Sequence, residues 1–280
     1  MIKVQNLSKD GDGAHIITPT TFPDGTKLIR YNPTIPGSVY EITWLYDNDA
    51  ELFQLIALTK HLKRFGAKVF LKLPYVPNAR MDRVKDSDEV FTLKAFADTI
   101  NWLGFESVLI CNPHSTVSEA LFNRVIVDFD CVYEDVRMAL HFAATDRDVV
   151  LYFPDSGAQK RYNDILAPLG LPYAYGIKNR DWNTGKILGI DIAGYDDLKG
   201  KNVLMVDDIC AYGGTFYYSA LRLKELGAND ISCYVTHLEN SVLDKEKGKL
   251  IQGDLIKTIY ATNSIFRGEA NEKIKIIHEF

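Results

Sequence analysis

Residues 203–216 read VLMVDDICAYGGTF, and in this stretch an apolar run, two acids and a glycine turn follow one another. The run VLMV is typical of a central parallel strand that is covered on both faces. Apolar residues at helical spacing follow the glycines: Phe216, Ala220 and Leu223. We therefore predict a strand over 202–206 that ends at Asp207 and Asp208, then a tight turn, then a helix that Gly227 terminates. This order of elements is typical of a ligand site.

The same alternation of strand and helix patterns fills the rest of the chain. Further strands are predicted over 68–73, 107–111, 149–153, 173–176, 186–192 and 230–237. Helices are predicted over 52–62, 93–103, 134–144 and 158–169, the first with Asp49 as its N-cap. Because the alternation restarts near residue 133, we predict an α/β protein of two domains, 1–131 and 132–280. Each domain is expected to be a mainly parallel sheet flanked by helices.

Composition narrows the class of protein. The chain has 280 residues, of which 46% are hydrophobic and 25% charged, enough for one large domain or two of ordinary size. A net charge of −5 argues against a nucleic-acid partner. No apolar run approaches the roughly 18 residues of a membrane span, and the opening MIKVQNLSKD lacks a signal-peptide core. We expect a cytoplasmic protein that binds small molecules and neither nucleic acid nor membranes.

Four predicted strands end in unusual polar segments. These are PYVPNARMDR at 74–83, NPHS at 112–115, PDSG at 154–157 and the acid-glycine stretch at 207–215. In open α/β sheets ligands bind beyond the carboxyl ends of the strands. One polar segment alone is as consistent with an inert turn as with a site, whereas four together predict a ligand site at these strand ends.

The acid-glycine stretch has the chemistry to hold a phosphorylated ribose. Each carboxylate of Asp207 and Asp208 can accept hydrogen bonds from a vicinal diol. The backbone N–H groups of Gly213 and Gly214 can close on a phosphate, and Thr215 adds a hydroxyl. The helix that begins there directs its positive end toward the same anion. A ribose with a phosphate on its 5-position fits this pattern.

The stretch VDDICAYGGTF resembles the ribose-phosphate loop of the phosphoribosyltransferase fold, and the other segments resemble the ribose-phosphate pyrophosphokinase (phosphoribosyl pyrophosphate synthetase) family. The matching segments, in the order typical of that family, are TFPDGT at 21–26, PYVPNARMDR at 74–83, NPHS at 112–115, PDSG at 154–157, KNR at 178–180 and DDICAYGGT at 207–215. The resemblance covers most of the chain. It implies two phosphoribosyltransferase-like domains, with the ribose-phosphate loop in the second.

The resemblance also implies an ATP site. Arg80 and Arg83 match family residues that contact the nucleotide, and Met81 stands between them where the family has glutamine. Phe22 matches the residue that stacks on adenine, and with Asp24 it is donated by a neighbouring subunit in the family. The resemblance therefore implies a homo-oligomer whose ATP site is shared between subunits.

Two further pairs of residues acquire roles only through the resemblance. His114, which also belongs to the ATP site, and Asp155 match ligands of Mg²⁺. Lys178 and Arg180 match catalytic residues on a mobile loop that closes over the triphosphate. There they would stabilise negative charge as it redistributes during transfer.

The chain departs from the family at Ala211 and Tyr212, where the family has Asp-Thr beside the 5-phosphate. Three hypotheses therefore stay open. In the first, the β,γ-pyrophosphate of ATP passes to the anomeric hydroxyl of ribose 5-phosphate, giving phosphoribosyl pyrophosphate and AMP. In the second, the acceptor is a 5-substituted ribose such as ADP-ribose, in NAD salvage. In the third, the chain is a non-catalytic regulatory relative. The sequence names no general base, oligomer size or allosteric regulator.

Overall fold

A computed structural model describes residues 1–9, 13–33, 36–143, 148–180 and 187–280; the side chains of 178–180 and 187–188 lie outside the described part. The chain divides into two compact units, Met1–Asp128 with Phe280, and Phe129–Glu279. The boundary predicted from the sequence, 131/132, lies within the helix Asp130–Phe142, and the division comes just before that helix.

The first unit contains a mainly parallel sheet. Its elements in chain order are β1 (Ile2–Asn6), β2 (His15–Ile17), β3 (Thr20–Thr21), β4 (Lys27–Leu28), β5 (Val39–Trp44), α1 (Ala50–Arg64), β6 (Lys68–Leu73), α2 (Thr92–Leu103), β7 (Val108–Cys111), α3 (Thr116–Leu121) and β8 (Val125–Asp128). The sheet order is β2-β1-β5-β6-β7-β8. Strands β5 to β8 are parallel, β1 and β2 pair antiparallel, and β3 with β4 forms a separate hairpin.

The second unit repeats this arrangement with a wider sheet. Its elements are α4 (Asp130–Phe142), β9 (Val149–Phe153), α5 (Ser156–Leu166), β10 (Tyr173–Arg180), β11 (Ile187–Ala193), β12 (Asn202–Cys210), α6 (Gly214–Glu225), β13 (Ile231–Leu238), β14 (Ile259–Thr262) and β15 (Ile274–His278). The sheet order is β11-β10-β9-β12-β13-β14-β15, parallel except for the β10–β11 pair. The predicted α/β class, with mainly parallel sheets flanked by helices, is confirmed.

Each unit has its own hydrophobic core. The first is centred on the sheet residues Ile42 and Leu71 with Leu55 of α1. The second contains Met205 and Val235 of the central strands. Every residue of β9 and β13 is buried, and β9 (VVLYF) is accordingly a continuous apolar run, whereas β13 also buries the polar side chains of Ser232, Thr236 and His237.

Two local predictions are wrong. Strand β12 continues through both acids to Cys210, because the parallel ladder with β13 continues there and pairs Asp207 with Val235. Asp49 occupies the N-cap position of α1, but its carboxylate accepts a hydrogen bond from the Tyr46 hydroxyl at 2.9 Å and makes no cap bond. In both cases a contact with another residue decides the structure.

No helix within the described ranges is long and apolar enough to cross a membrane.

Candidate active site

The second sheet has a topological switch point between the neighbouring parallel strands β9 and β12. From β9 the chain continues to β10 on one side, and from β12 it continues to β13 on the other. The segment PDSG follows β9, and AYGGT follows β12. Such a switch point opens a crevice at the carboxyl ends of the strands, where open α/β sheets bind their ligands.

The two acids of β12 lie at this crevice. The Oδ1 atom of Asp207 accepts a hydrogen bond from the Asp208 backbone N–H at 3.0 Å. Asp208 is only 5% exposed, and its Oδ2 lies 3.7 Å from Nη1 of Arg161 on α5. Burial raises the pKa of Asp207 well above the usual range, and the charges of Asp208 and Asp155 raise this pKa further. The acid pair therefore favours a cation, a proton or a hydroxyl donor beside it.

The glycine turn behind β12 leaves space for an anion. Gly213 has φ of +79°, and a Cβ at this position would lie 2.0 Å from Cδ1 of Leu250, so only glycine fits. A Cβ on Gly214 would meet nothing within 4 Å. Helix α6 begins at Gly214, and the first N–H groups of a helix have no partner inside it. The turn and the helix N-terminus together form a cradle suited to a phosphate.

Helix α6 is fixed firmly behind this cradle. Phe216, Ala220 and Leu223 are buried, as their spacing predicts. The buried Tyr152 hydroxyl of β9 donates a hydrogen bond to Oγ of Ser219 at 3.2 Å. This bond joins α6 to the strand on the other side of the switch point, so the two loops keep a defined separation.

Asp155 is the N-cap of α5. Its Oδ1 atom accepts hydrogen bonds from the backbone N–H groups of Gly157 and Ala158, both at 3.0 Å. The cap uses one carboxylate oxygen and orients the second, Oδ2. Within the described ranges no three His, Cys, Asp or Glu side chains are grouped to hold a metal ion unaided. The role of Asp155 as a ligand of Mg²⁺ stays a prediction.

In the first unit, the predicted nucleotide residues follow β6. Arg80 is exposed, and Met81 is half-buried. Arg83 is exposed with its Nε 3.5 Å from Oδ1 of the adjacent Asp82. The segment turns at Asn78, whose φ is 63°. Both guanidinium groups are therefore carried on a turn at the carboxyl end of the strand.

His114 follows β7, the next parallel strand. It is half-buried and lies two residues before α3. The Cys111 backbone N–H donates to the Pro74 carbonyl at 3.3 Å, so the segments leaving β6 and β7 meet at one edge of the sheet. The structure thus places His114 and the arginine-bearing segment at the same edge, and their roles stay predictions.

Phe22 and Asp24 lie in the turn of the β3–β4 hairpin. The Phe22 backbone N–H donates to the Thr26 carbonyl at 2.9 Å, which closes the turn. Asp24 accepts from the Thr26 hydroxyl at 2.7 Å and from its backbone N–H at 3.0 Å, and these bonds lower the pKa of Asp24. The Phe22 side chain is 47% exposed. The hairpin therefore presents the ring to solvent, and the donation of Phe22 and Asp24 to a neighbouring subunit stays a prediction.

The backbone at Lys178 and Arg180 belongs to β10, with Lys178 opposite Ile190 of β11. The side chains of both residues lie outside the described residues, and so does the segment 181–186. Their catalytic role and the predicted mobile loop stay predictions.

No family model matches the chain, but individual relatives match most of it. The ribose-phosphate pyrophosphokinase of Thermococcus kodakarensis is 30% identical over 218 residues, which is 77% of this chain and 75% of the relative. That of Mycoplasma pneumoniae is 30% identical over 256 residues, or 89% of this chain and 76% of the relative. The chain belongs to the ribose-phosphate pyrophosphokinase family. It is therefore a transferase of that family.

A solved structure supports the same fold. A phosphoribosyl pyrophosphate synthetase from Mycobacterium smegmatis matches with a TM-score of 0.76 at 22% identity, over 94% of this chain and 85% of that chain. The likeness confirms the prediction of two phosphoribosyltransferase-like sheets for this pyrophosphokinase-family chain.

Sequence reasoning missed two parts of the site. The first is Arg161 on α5, the helix that follows PDSG, because its guanidinium group forms an ion pair with Asp208. The segment 244–250 packs against the glycine turn through Leu250. The sequence contains only a weak signal for either, because basic residues on helices and loops are usually solvated.

Proposed function

We propose that this chain transfers the β,γ-pyrophosphate of ATP to the anomeric hydroxyl of ribose 5-phosphate, giving phosphoribosyl pyrophosphate and AMP. One observation carries the proposal: an acid pair and a glycine cradle lie together at the switch point of the second sheet. The acids suit a ribose diol and the cradle suits its 5-phosphate. Relatives named ribose-phosphate pyrophosphokinase support the same reaction.

The proposed step is an in-line displacement at the β-phosphorus of ATP. Asp207 and Asp208 hold the ribose diol, and residues 213–215 hold the 5-phosphate. The anomeric oxygen forms a bond to the β-phosphorus, the bond from that phosphorus to the α-phosphate oxygen breaks, and AMP leaves with the electron pair. The hydroxyl proton is released, and no side chain is assigned to accept it. Lys178 and Arg180 would stabilise the charge of the transition state, and positioning supplies most of the acceleration.

Mg²⁺ and ATP complete the proposed site. Asp155 would be a ligand of the ion, which supplies charge neutralisation on the triphosphate when bound, and His114 stays the other predicted ligand. The N-cap bonds of Asp155 are accepted by Oδ1 alone, so the cap is compatible with a ligand role for Oδ2. Arg80, Arg83 and Met81 would line the nucleotide site. Phe22 and Asp24 would reach it from a neighbouring subunit of a homo-oligomer.

A second candidate acceptor is a ribose with a larger 5-substituent, such as ADP-ribose. The exposed ring of Tyr212, 42% accessible, favours it, because this ring stands beside the phosphate cradle where the family has a threonine. A non-catalytic regulatory role is the third candidate.

Release of AMP distinguishes these candidates. The purified chain is given ATP and MgCl₂ with either ribose 5-phosphate or ADP-ribose, and AMP is measured by chromatography. We expect AMP with ribose 5-phosphate, whereas activity with ADP-ribose alone would reverse the choice of acceptor. No AMP with either would contradict both enzymatic proposals. Lys178→Ala should lower kcat about a hundredfold or more, with Lys160→Ala on α5 as the matched control.

A further inference from the structure

The segment 244–250 packs along the glycine turn of the candidate active site. Leu250 is buried, and its side chain fills the position that a Cβ on Gly213 would take. The Lys249 backbone N–H donates a hydrogen bond to the Tyr212 carbonyl at 3.1 Å. The segment is therefore attached to the turn at Tyr212 and at Gly213.

Internal bonds give this segment a defined conformation. The Asp244 carboxylate accepts from the backbone N–H groups of Glu246 at 2.9 Å and Lys247 at 2.8 Å, and these bonds lower the pKa of Asp244. The Gly248 N–H donates to the Asp244 carbonyl at 2.8 Å. A Cβ on Gly248 would lie 2.1 Å from the Val242 carbonyl oxygen, so the close approach requires glycine. The positions of the lysines on either side of Gly248 are set by this backbone.

Two ammonium groups of the segment lie against aromatic rings. Nζ of Lys247 is 5.6 Å from the centroid of the Tyr212 ring. Nζ of Lys249 is 4.6 Å from the centroid of the Tyr218 ring and donates to the Tyr218 hydroxyl at 2.6 Å. Both rings are substantially exposed. Because an ammonium group has three donors, Lys249 keeps the capacity to bind an anion beside this hydroxyl.

We propose that Tyr212, Lys247 and Lys249 form a subsite for a substituent on the 5-phosphate of the acceptor. The proposal rests on the pyrophosphate transfer proposed above and deepens its second candidate: besides ribose 5-phosphate, the site would take a ribose joined through a 5-diphosphate to a nucleoside. The glycine cradle holds the phosphate nearest the ribose. The next phosphate meets the two ammonium groups, and the base stacks on the Tyr212 ring. Ribose 5-phosphate ends at the cradle and leaves these three side chains in water.

Equilibrium binding tests the subsite without requiring catalysis. Calorimetric titration of the full chain with ADP-ribose and with ribose 5-phosphate gives the two dissociation constants. We expect ADP-ribose to bind about tenfold more tightly, and the double variant Lys247→Ala/Lys249→Ala to lose that preference. Tyr212→Thr should also reduce the preference. Lys245→Ala removes an exposed lysine of the same segment that lies against neither ring, and it should leave both constants unchanged.

The outcomes separate this inference from the proposed function. An unchanged preference in the double variant, or no preference in the original chain, overturns the subsite. If ribose 5-phosphate yields AMP while ADP-ribose does not bind, the transfer reaction stands and the subsite is wrong. If ADP-ribose binds through the lysines and no acceptor yields AMP, the subsite stands and the transfer reaction is wrong.

Discussion

At the scale of single residues, the buried carboxylate of Asp207 is expected to lower the stability of the empty folded protein. Its pKa is raised by burial and by the charge of Asp208, so the ionised carboxylate is held in an unfavourable environment when no ligand is bound. Hydrogen bonds from a substrate diol, or the charge of a cation, would stabilise the ionised carboxylate. The residue is therefore expected to favour binding at the expense of the stability of the empty protein.

We predict that Asp207→Asn stabilises the empty protein while lowering its activity. The amide removes the repulsion with Asp208, so the free energy of unfolding at pH 7 should increase by about 1 kcal/mol. Turnover should fall because the amide offers a weaker acceptor to the ribose diol. Urea unfolding and the AMP assay measure the two effects. Asp254→Asn, the same change at an exposed site, is the control; destabilisation by Asp207→Asn would contradict the prediction.

The pH dependence of stability follows from the same residue. Because the folded-state pKa of Asp207 lies above the unfolded value of about 4, its contribution to stability is fully present below pH 4. That contribution is lost as the pH rises through the raised pKa. The stability gained by Asp207→Asn should therefore be small near pH 4 and larger at pH 8. Urea midpoints across this range measure it, and a gain that shrinks with rising pH would show that the pKa is not raised.

At the scale of elements, the N-cap of α5 and the predicted metal ligand are the same carboxylate. Asparagine caps helices about as well as aspartate, whereas alanine costs about 1 kcal/mol. Asp155→Asn should therefore keep most of the stability but lose the charge that would hold Mg²⁺. Asp155→Ala should lose both. Thermal unfolding together with the magnesium dependence of AMP release separates the two roles, and full activity of Asp155→Asn would exclude the metal role.

The two glycines of the turn before α6 should respond differently to the same substitution. Gly213→Ala forces a side chain into Leu250 at a positive φ and should destabilise the protein by about 2–4 kcal/mol. Gly214→Ala has space and should preserve stability, but its methyl group enters the phosphate cradle. We expect a higher KM for the acceptor in Gly214→Ala. An unchanged KM would indicate that the phosphate binds elsewhere.

At the scale of the whole molecule, the proposed role of Phe22 requires an ATP site built from two subunits. Phe22→Ala and Lys178→Ala would then remove contributions from different chains. Co-expression of the two inactive variants should restore about a quarter of the activity, since random assembly leaves that fraction of sites intact. Each variant expressed by itself is the control. Absence of any recovery in verified mixed oligomers would mean that one chain supplies both residues.

The two hydrophobic cores share no buried residue, so a core defect should act mainly within its own unit. Leu55→Ala should lower the free energy of unfolding of the first unit by about 2–5 kcal/mol, and Leu223→Ala should do the same in the second. Hydrogen exchange followed by mass spectrometry resolves the two effects. Equal loss of protection in both units from either variant would show that they unfold together.

The sequence by itself determined the fold class and most of the candidate site. Apolar runs such as VLMV report burial on both faces, and Gly213 marks the turn, because such preferences are local. The order of the motifs then indicated the family, which the relatives confirm.

Only the tertiary structure decided how far β12 extends, where the carboxylate of Asp49 bonds, and that Arg161 faces Asp208. It also brought Lys247 to the ring of Tyr212, a residue distant in the sequence. These features depend on the pairing and packing of distant segments. A single stretch of sequence does not encode such contacts, because their energy arises only when the segments meet.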